Sequence, residues 1–361
     1  MSEKEPIPPK IYRRTSLKEL AAHLGLSQTT VSRVVNQSPG YLRIAPDTRD
    51  RVLAAAAKLN YQANVLAQGL RSKRSQIVSV IVPEISDGYS TSVLSGIEDS
   101  LLLGGYFYFV VSHRHRPDLL RDYPSLLLSR AVEGLIAVDT SIDEELPIPV
   151  VSVSGHSRHG SIVNIELDHT LAAHQALEHL KKLGHSRIAF IKGQSFSSDT
   201  QTRWRAIIRV AGELGIEILP KLTVQLEENG IGVEPGRVAT MKLLERNEPF
   251  TAIFAFNDHS AMGAIVALRE AGRDVPNDVS VVGFDDIPSA ATNNPGLTTV
   301  RQPLQEMGRV AASTLLQMLR SPEEHQRRSI LVLPTFVERN STALAAAVRK
   351  TRTPTLIRSG Q

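Results

Sequence analysis

From Ile77 onward the chain alternates short β-branched runs with amphipathic helical stretches, and this alternation restricts the fold more than any other feature. Strand-like runs lie at residues 77–82, 106–111, 135–138, 150–153, 187–191, 223–226, 252–256 and 279–284. Between most of them lie helix-like stretches, among them 92–103, 171–183, 236–246 and 260–271. Strands separated by helices pair in parallel, with helices covering both sheet faces. The series is too long for one sheet of ordinary size, so an α/β body with two parallel sheets is expected.

The N-terminal part follows a different rule. Leu17, Leu20, Ala21 and Leu24 recur at helical spacing, and Gly25 ends that helix with a residue that tolerates a left-handed backbone. Ser27 is placed to cap a second helix. In that helix Val31, Val34 and Val35 share one side, while Gln28, Thr29, Ser32, Arg33 and Asn36 share the other. Helix, short turn, helix, with hydrogen-bonding side chains on the outer face, fits a helix-turn-helix whose second helix enters the DNA major groove. A small helical hairpin of another purpose fits the apolar pattern equally well.

Charge separates the same two regions. Residues 1–75 carry 13 Lys and Arg against 5 Asp and Glu, whereas residues 76–344 carry 24 against 32. A basic head on an acidic body is the footprint of a nucleic-acid binder whose larger part does something else, although a basic surface also serves solubility. The chain has no cysteine, which excludes disulfides and cysteine metal sites and fits a reducing cytoplasm. No run approaches the roughly 18 apolar residues of a membrane span. A cytoplasmic protein without membrane contact is expected.

The head resembles the lactose-repressor/galactose-repressor (LacI/GalR) family of bacterial transcriptional regulators. The resemblance rests on residues 17–21, Gly25-Leu26-Ser27, Thr30-Val31-Ser32-Arg33-Val34-Val35-Asn36, Thr48-Arg49-Asp50-Arg51-Val52 and Leu59-Asn60-Tyr61. It continues in the body through Val82-Pro83-Glu84-Ile85-Ser86, residues 180–191, Phe256-Asn257-Asp258, residues 279–287 and residues 295–303. The resemblance covers roughly residues 15–343 and implies a helix-turn-helix head on a periplasmic-binding-protein-like body of two subdomains. The implied organisation is a basic arm at 1–14, a DNA-binding domain at 15–62, a hinge helix or linker at 63–76, an effector-binding and dimerisation domain at 77–343, and a basic tail at 344–361. The chain would cross between subdomains near residue 184, within 286–299 and near 328.

The resemblance also implies roles. Gln28, Thr29 and Arg33 would read bases, and Ser16, Thr30, Ser32 and Asn36 would hold phosphates. Leu70, with Ala67, would enter the minor groove as an apolar wedge. A simple basic linker is the other reading of that segment. Asp87, Tyr89, Asp168, Arg203, Asn257 and Asp285 would line the effector cleft, most of them following strands, where open parallel sheets bind ligands. For each residue alone, a capping or turn role is as good a reading. The implied partners are a double-stranded operator, a second copy of the chain, and a small effector, expected to be a carbohydrate. No cofactor is expected.

Several positions depart from the family. The loop at 37–45 is longer than usual, and Ala45-Pro46 replaces the polar cap of the third helix, leaving proline at the first helical position. The helix at 46–59 places Val52, Ala56 and Leu59 on one face, with Tyr61 beneath. Gly69 weakens the hinge helix by about 1 kcal/mol relative to alanine. Asp87-Gly88-Tyr89-Ser90 stands where many members have Asn-Pro-Phe-Phe, and Ile208-Arg209 replaces glycine and an aromatic. Trp204 serves either a sugar face or the core. The tail lacks leucine heptads, so nothing supports a coiled-coil tetramer.

Catalytic signatures are missing from the sequence. The segment Gly230-Ile231-Gly232-Val233-Glu234-Pro235-Gly236 places its third glycine one residue too late for a dinucleotide loop, and Pro235 occupies the turn. There is no Gly-x-Ser-x-Gly and no His-Glu-x-x-His. The pairs His113/His115 and His156/His159 lack neighbouring carboxylates or cysteines, so no metal site is expected. The reading is a dimeric, effector-controlled DNA-binding regulator, a repressor and not an enzyme; a solute-binding protein or an enzyme on the same scaffold are the alternatives.

Overall fold

In the computed structural model, residues 15–61, 74–86, 88–142, 144–157, 159–227, 232–321 and 329–345 are described. The chain divides into two units, Met1–Ser75 and Gln76–Gln361.

The first unit is a three-helix head. α1 (Leu17–Leu24) opens with a reciprocal capping box, in which Ser16 and Glu19 each satisfy the other's backbone, and closes on Gly25 at φ 65°. α2 (Gln28–Val35) starts where the Ser27 hydroxyl accepts from the Thr30 amide at 3.1 Å. α3 (Pro46–Lys58) has no side-chain cap and relies on Pro46. The long loop before it is ordered by a 3-10 turn at Tyr41–Arg43, and the Arg49 guanidinium lies 4.8 Å above the Tyr41 ring. Leu20, Ala21, Val31, Val34, Val52, Ala55 and Ala56 form the core, and Leu59 and Tyr61 pack against it.

The second unit begins with β1 (Ile77–Val82), α4 (Gly88–Leu103), β2 (Phe107–Ser112), α5 (Pro117–Ser129), β3 (Gly134–Val138), β4 (Val150–Val153) and β5 (Ile162–Leu167). There follow α6 (His169–Lys182), β6 (Ile188–Lys192), α7 (Ser198–Leu214), β7 (Thr223–Gln225), α8 (Glu234–Glu245) and β8 (Ala252–Ala255). The rest is α9 (Asp258–Glu270), β9 (Ser280–Asp285), α10 (Pro288–Thr292), β10 (Thr298–Arg301), α11 (Leu304–Arg320), β11 (Ser329–Val332) and β12 (Thr335–Val337). One sheet has the order β11-β5-β4-β3-β1-β2 and is parallel throughout. The other has the order β12-β10-β9-β8-β6-β7 and is parallel except for β12. Central strands buried on both faces, such as Val80 and Val281, are what parallel sheets between helix layers require.

The crossings between subdomains differ from the expected positions. β5 pairs in the first sheet, but α6 after it packs its Ala172, Ala176 and Leu180 into the core of the second. The first crossing is therefore at Asp168 and not near 184. β10 lies in the second sheet and α11 packs on the first, so the second crossing is at Gln302 and Pro303, beyond 286–299. β11 and β12 belong to different sheets, which puts the third at Leu333 and Pro334 and not at 328. All three crossings leave the carboxyl ends of strands, where a parallel sheet already turns its chain out toward solvent.

Two helix pairs meet at glycines. A Cβ on Gly96 of α4 would lie 1.8 Å from the Gln305 carbonyl oxygen, and one on Gly308 of α11 would lie 2.0 Å from the Val93 carbonyl oxygen. The same device joins α8 to α9, where Cβ atoms on Gly236 and Gly263 would strike the facing backbone.

Candidate functional site

On α2 the side chains expected to read bases, Gln28, Thr29 and Arg33, are all exposed. They share one face because the valines of the same helix are committed to the core. Among the residues expected at phosphates, Ser16 is tied to Glu19, and the hydroxyls of Thr30 and Ser27 are 2.8 Å apart. Ser32 is buried and accepts from Asn36 Nδ2 at 3.1 Å, so it braces Asn36 and does not present its own hydroxyl. The expected hinge residues Ala67 and Leu70, with Gly69, lie outside the described residues.

The second unit holds a cavity of about 180 Å³ between its sheets. Strand carboxyl ends of both subdomains contribute: Glu84, His115 and Asp139 from the first, and Gln194, Phe196 and Asn257 from the second. The His115 and Phe196 rings stack across it at 4.0 Å with planes 35° apart. Asp139 accepts from Ser198 Oγ at 2.9 Å and from Ser197 Oγ at 3.3 Å. Burial, reinforced by the charge of Asp199, raises the Asp139 carboxyl to about 7.

A buried ionic cluster lies beside this cavity. Asp199, in the first turn of α7, accepts at Oδ1 from His156 Nε2 at 2.6 Å and is 3.2 Å from His169 Nε2. Its Oδ2 receives Arg203 at 2.9 Å. Burial opposes the Asp199 charge, but His169, His156 and Arg203 hold its carboxyl well below the usual range. His156 has a second carboxylate, Glu166 Oε1, 3.2 Å from Nδ1. Burial disfavours its charged form, yet the hydrogen bonds to Asp199 and Glu166 prevail and raise it to about 10.

The residues expected in the cleft divide into three groups. Asn257 lines the cavity and also caps α9, accepting from the Ser260 amide at 2.9 Å. Tyr89, Arg203 and Asp285 lie behind it. The Tyr89 hydroxyl donates to Ser154 at 3.0 Å, and burial with the charges of Asp199 and Asp139 raises it well above its usual range. Arg203 is committed to Asp199 and to the Phe256 carbonyl, with its guanidinium 3.7 Å from the Phe284 ring centroid. Asp285 stands at φ 109° and accepts from Gln302 Nε2 at 2.7 Å. Asp168 is elsewhere: it caps α6 by accepting from the Leu171 amide at 2.9 Å and borders a separate groove with Arg205 and Arg209. Asp87 lies outside the described residues. Trp204 packs edge-on to Phe190 at 5.8 Å, at the margin of the core.

Phe196, Asp139 and Asp199 escaped sequence reasoning, and His115 entered it only as half of a rejected metal pair. Nothing in their local spacing marks them; the one usable signal was that Asp139 follows a β-branched run. Asp258, within a motif the sequence analysis noted, is structural: it is fully buried and accepts from the Ile287 amide at 2.9 Å and Thr299 Oγ1 at 2.6 Å.

A three-helix head with an exposed polar recognition helix, joined to two parallel-sheet subdomains around a polar cleft, defines a DNA-binding regulator with a ligand-binding body. Residues 16–64 match the family described as bacterial regulatory proteins, lacI family, and residues 177–342 match the periplasmic binding protein-like domain. The transcriptional regulator DegA of Bacillus subtilis is 32% identical, over 91% of this chain and 98% of its own length. The regulator MalR of Streptomyces coelicolor is 35% identical, over 93% and 98%. Among solved structures, the lac repressor dimer bound to operator and an anti-inducer superposes with a TM-score of 0.81 at 26% identity, covering 92% of this chain and all of that one. A complex of the regulator CelR with cellobiose gives 0.68 at 26% identity, over 91% and 100%. The chain belongs to the LacI family of DNA-binding transcriptional regulators.

Proposed function

We propose that this protein is a repressor that binds a pseudo-palindromic operator as a homodimer and releases or grips it in response to a small, uncharged, sugar-like effector. The observation that carries the reading is the pairing, in one chain, of an exposed Gln28/Thr29/Arg33 face with a polar inter-subdomain cleft. Two chains are required because one α2 helix reads only one half-site. The effector class follows from the cavity wall. Its described residues include no lysine or arginine, while Glu84 adds an acidic group that disfavours a phosphate or carboxylate. Phe196, Phe256 and His115 supply faces for C–H groups, and Gln194, Asn257 and Ser197 supply hydroxyl partners. The operator- and cellobiose-bound relatives support the same assignment.

Binding an effector in the cleft shifts the balance between open and closed subdomain arrangements, a coupling of about 1–3 kcal/mol in such systems. The protein acts by binding and not by turnover, in the cytoplasm, where operator and sugar meet. No helix among the described residues is long and apolar enough to cross a membrane.

The test is selection of bound fragments from genomic DNA by the full chain, followed by gel shift of the recovered site with and without candidate sugars. Recovery of a two-fold-symmetric site whose occupancy changes with a neutral sugar supports the reading. Binding without sequence preference overturns it.

A further inference from the structure

The buried cluster at His156, His169 and Asp199 holds donor atoms that nothing in the regulator's DNA or sugar chemistry uses. One ring nitrogen of His156, one of His169 and an Asp199 carboxylate oxygen lie within 4.8 Å of one another. The three side chains come from three places: the loop after β4 in the first subdomain, the first residue of α6, and the first turn of α7 in the second. We propose that they form a site for a divalent transition metal of the zinc class, which joins the two subdomains.

The ligand set suits that metal. Two imidazoles and one carboxylate, with a fourth position left for water or another ligand, is a common open zinc arrangement, with nitrogen distances of about 2.0–2.1 Å. Ligand atoms around a tetrahedral ion of this kind stand roughly 3.3 Å from one another, so the His169–Asp199 pair at 3.2 Å already fits and the His156–Asp199 pair must open from 2.6 Å.

The surroundings match as well. A metal-binding histidine ordinarily donates its other ring nitrogen to a carboxylate, which fixes the tautomer, and ligating carboxylates are themselves hydrogen-bonded. Glu166 Oε1 stands 3.2 Å from His156 Nδ1 and is fixed in turn by Ser329 Oγ at 2.7 Å. Arg203 occupies Asp199 Oδ2 at 2.9 Å, which leaves Oδ1, the atom on which both imidazoles converge, to face the ion. His169 and Asp199 are buried, so water would compete poorly for the ion. The His169 Nδ1 atom is buried without a hydrogen-bond partner, so the polar engagement of this ring is the one its Nε2 makes with Asp199. When the ion enters, the proton that His156 Nε2 directs at Asp199 is released to solvent.

Such an ion would favour the closed arrangement of the subdomains, making metal supply a second input to the regulator; this consequence, unlike the site itself, rests on the proposed function. Tag-free full-length protein, dialysed against a chelator, is titrated with Co²⁺ and followed by visible absorption. The expected result is a tetrahedral ligand-field band saturating at one ion per chain and bleached by Zn²⁺. His169→Ala should abolish the band. Glu166→Gln, which leaves every ligand in place and keeps folding testable, should weaken binding roughly 10- to 100-fold. No saturable band, or a band that survives His169→Ala and is indifferent to Glu166→Gln, overturns the site. The titration contains no DNA or sugar, so its failure leaves the regulator reading intact.

Discussion

Asp139 and Ser198 bridge the two subdomains, the Ser198 hydroxyl donating at 2.9 Å to a carboxyl raised to about 7 by burial and by the charge of Asp199. The sign of the resulting pH dependence follows from which state holds the proton. Below about pH 4 both folded and unfolded forms are neutral at this residue, and its contribution is fully present. As pH rises toward 7 the unfolded chain ionises first, so stability falls by up to about 1.4 kcal/mol per pH unit and levels off above 7. Asp139→Asn keeps an acceptor for Ser198 and removes the titration. In metal-free protein the Tm of this variant relative to wild type should climb between pH 5 and pH 8; an equal difference at both would contradict the raised carboxyl.

On the head, Arg33 is exposed while its neighbours Ser32 and Val34 are buried, so its side chain can be shortened without disturbing the core. If it makes a bidentate contact to guanine, Arg33→Ala should cost about 1–3 kcal/mol of operator affinity and relax preference at one base pair per half-site. Competition gel shifts with single-base operator variants measure this. A uniform loss across all variants would assign Arg33 to phosphate alone.

Asn257 combines two roles, and two substitutions separate them. Asn257→Ala removes the α9 cap and should cost about 1 kcal/mol of stability. Asn257→Asp keeps an oxygen for the Ser260 amide but deletes the Nδ2 donor of this cavity-lining residue. Calorimetric titration with the effector should show weakened binding in the Asp variant at near-normal Tm. Unchanged binding would confine Asn257 to capping.

The α4–α11 contact makes a sharper stability prediction. A methyl on Gly308 would sit 2.0 Å from a carbonyl oxygen, an overlap that backbone atoms cannot relieve by rotating a side chain. Gly308→Ala should therefore lose about 3 kcal/mol or more, at or above the usual cost of overpacking. Gly212→Ala, with nothing within 4 Å of the added methyl, is the control and should be neutral or slightly stabilising. Urea unfolding of both variants decides the matter.

The fold was largely legible because its signals are periodic. Central strands such as residues 279–284 are short, valine-rich runs, and the structure places β9 at Ser280–Asp285. Helix starts were less legible. The stretch expected at 260–271 begins at Asp258, because its first turn is made of polar capping residues that carry no apolar period. Short edge strands such as β11, with the sequence Ser-Ile-Leu-Val and two exposed positions, offer too few residues for a pattern to register. At the cleft, the sequence could place Asn257 after a strand but could not foresee that Arg203 and Asp285 spend their hydrogen bonds on Asp199 and Gln302. The ionic cluster was invisible for a simpler reason: His156 and Asp199 are 43 positions apart, and only the folded chain makes them neighbours.

The three passages of chain between the subdomains all leave strand carboxyl ends, at Asp168, at Gln302 and Pro303, and at Leu333 and Pro334. A body strapped in triplicate resists sliding and twisting of its subdomains more than a body joined by one strand would. Gln302, which sits in one of the straps, donates to Asp285 at 2.7 Å and so anchors that strap to the end of β9 in the second subdomain. Sequence change at such an anchor can alter how the two subdomains are joined while leaving the residues that line the cavity as they were.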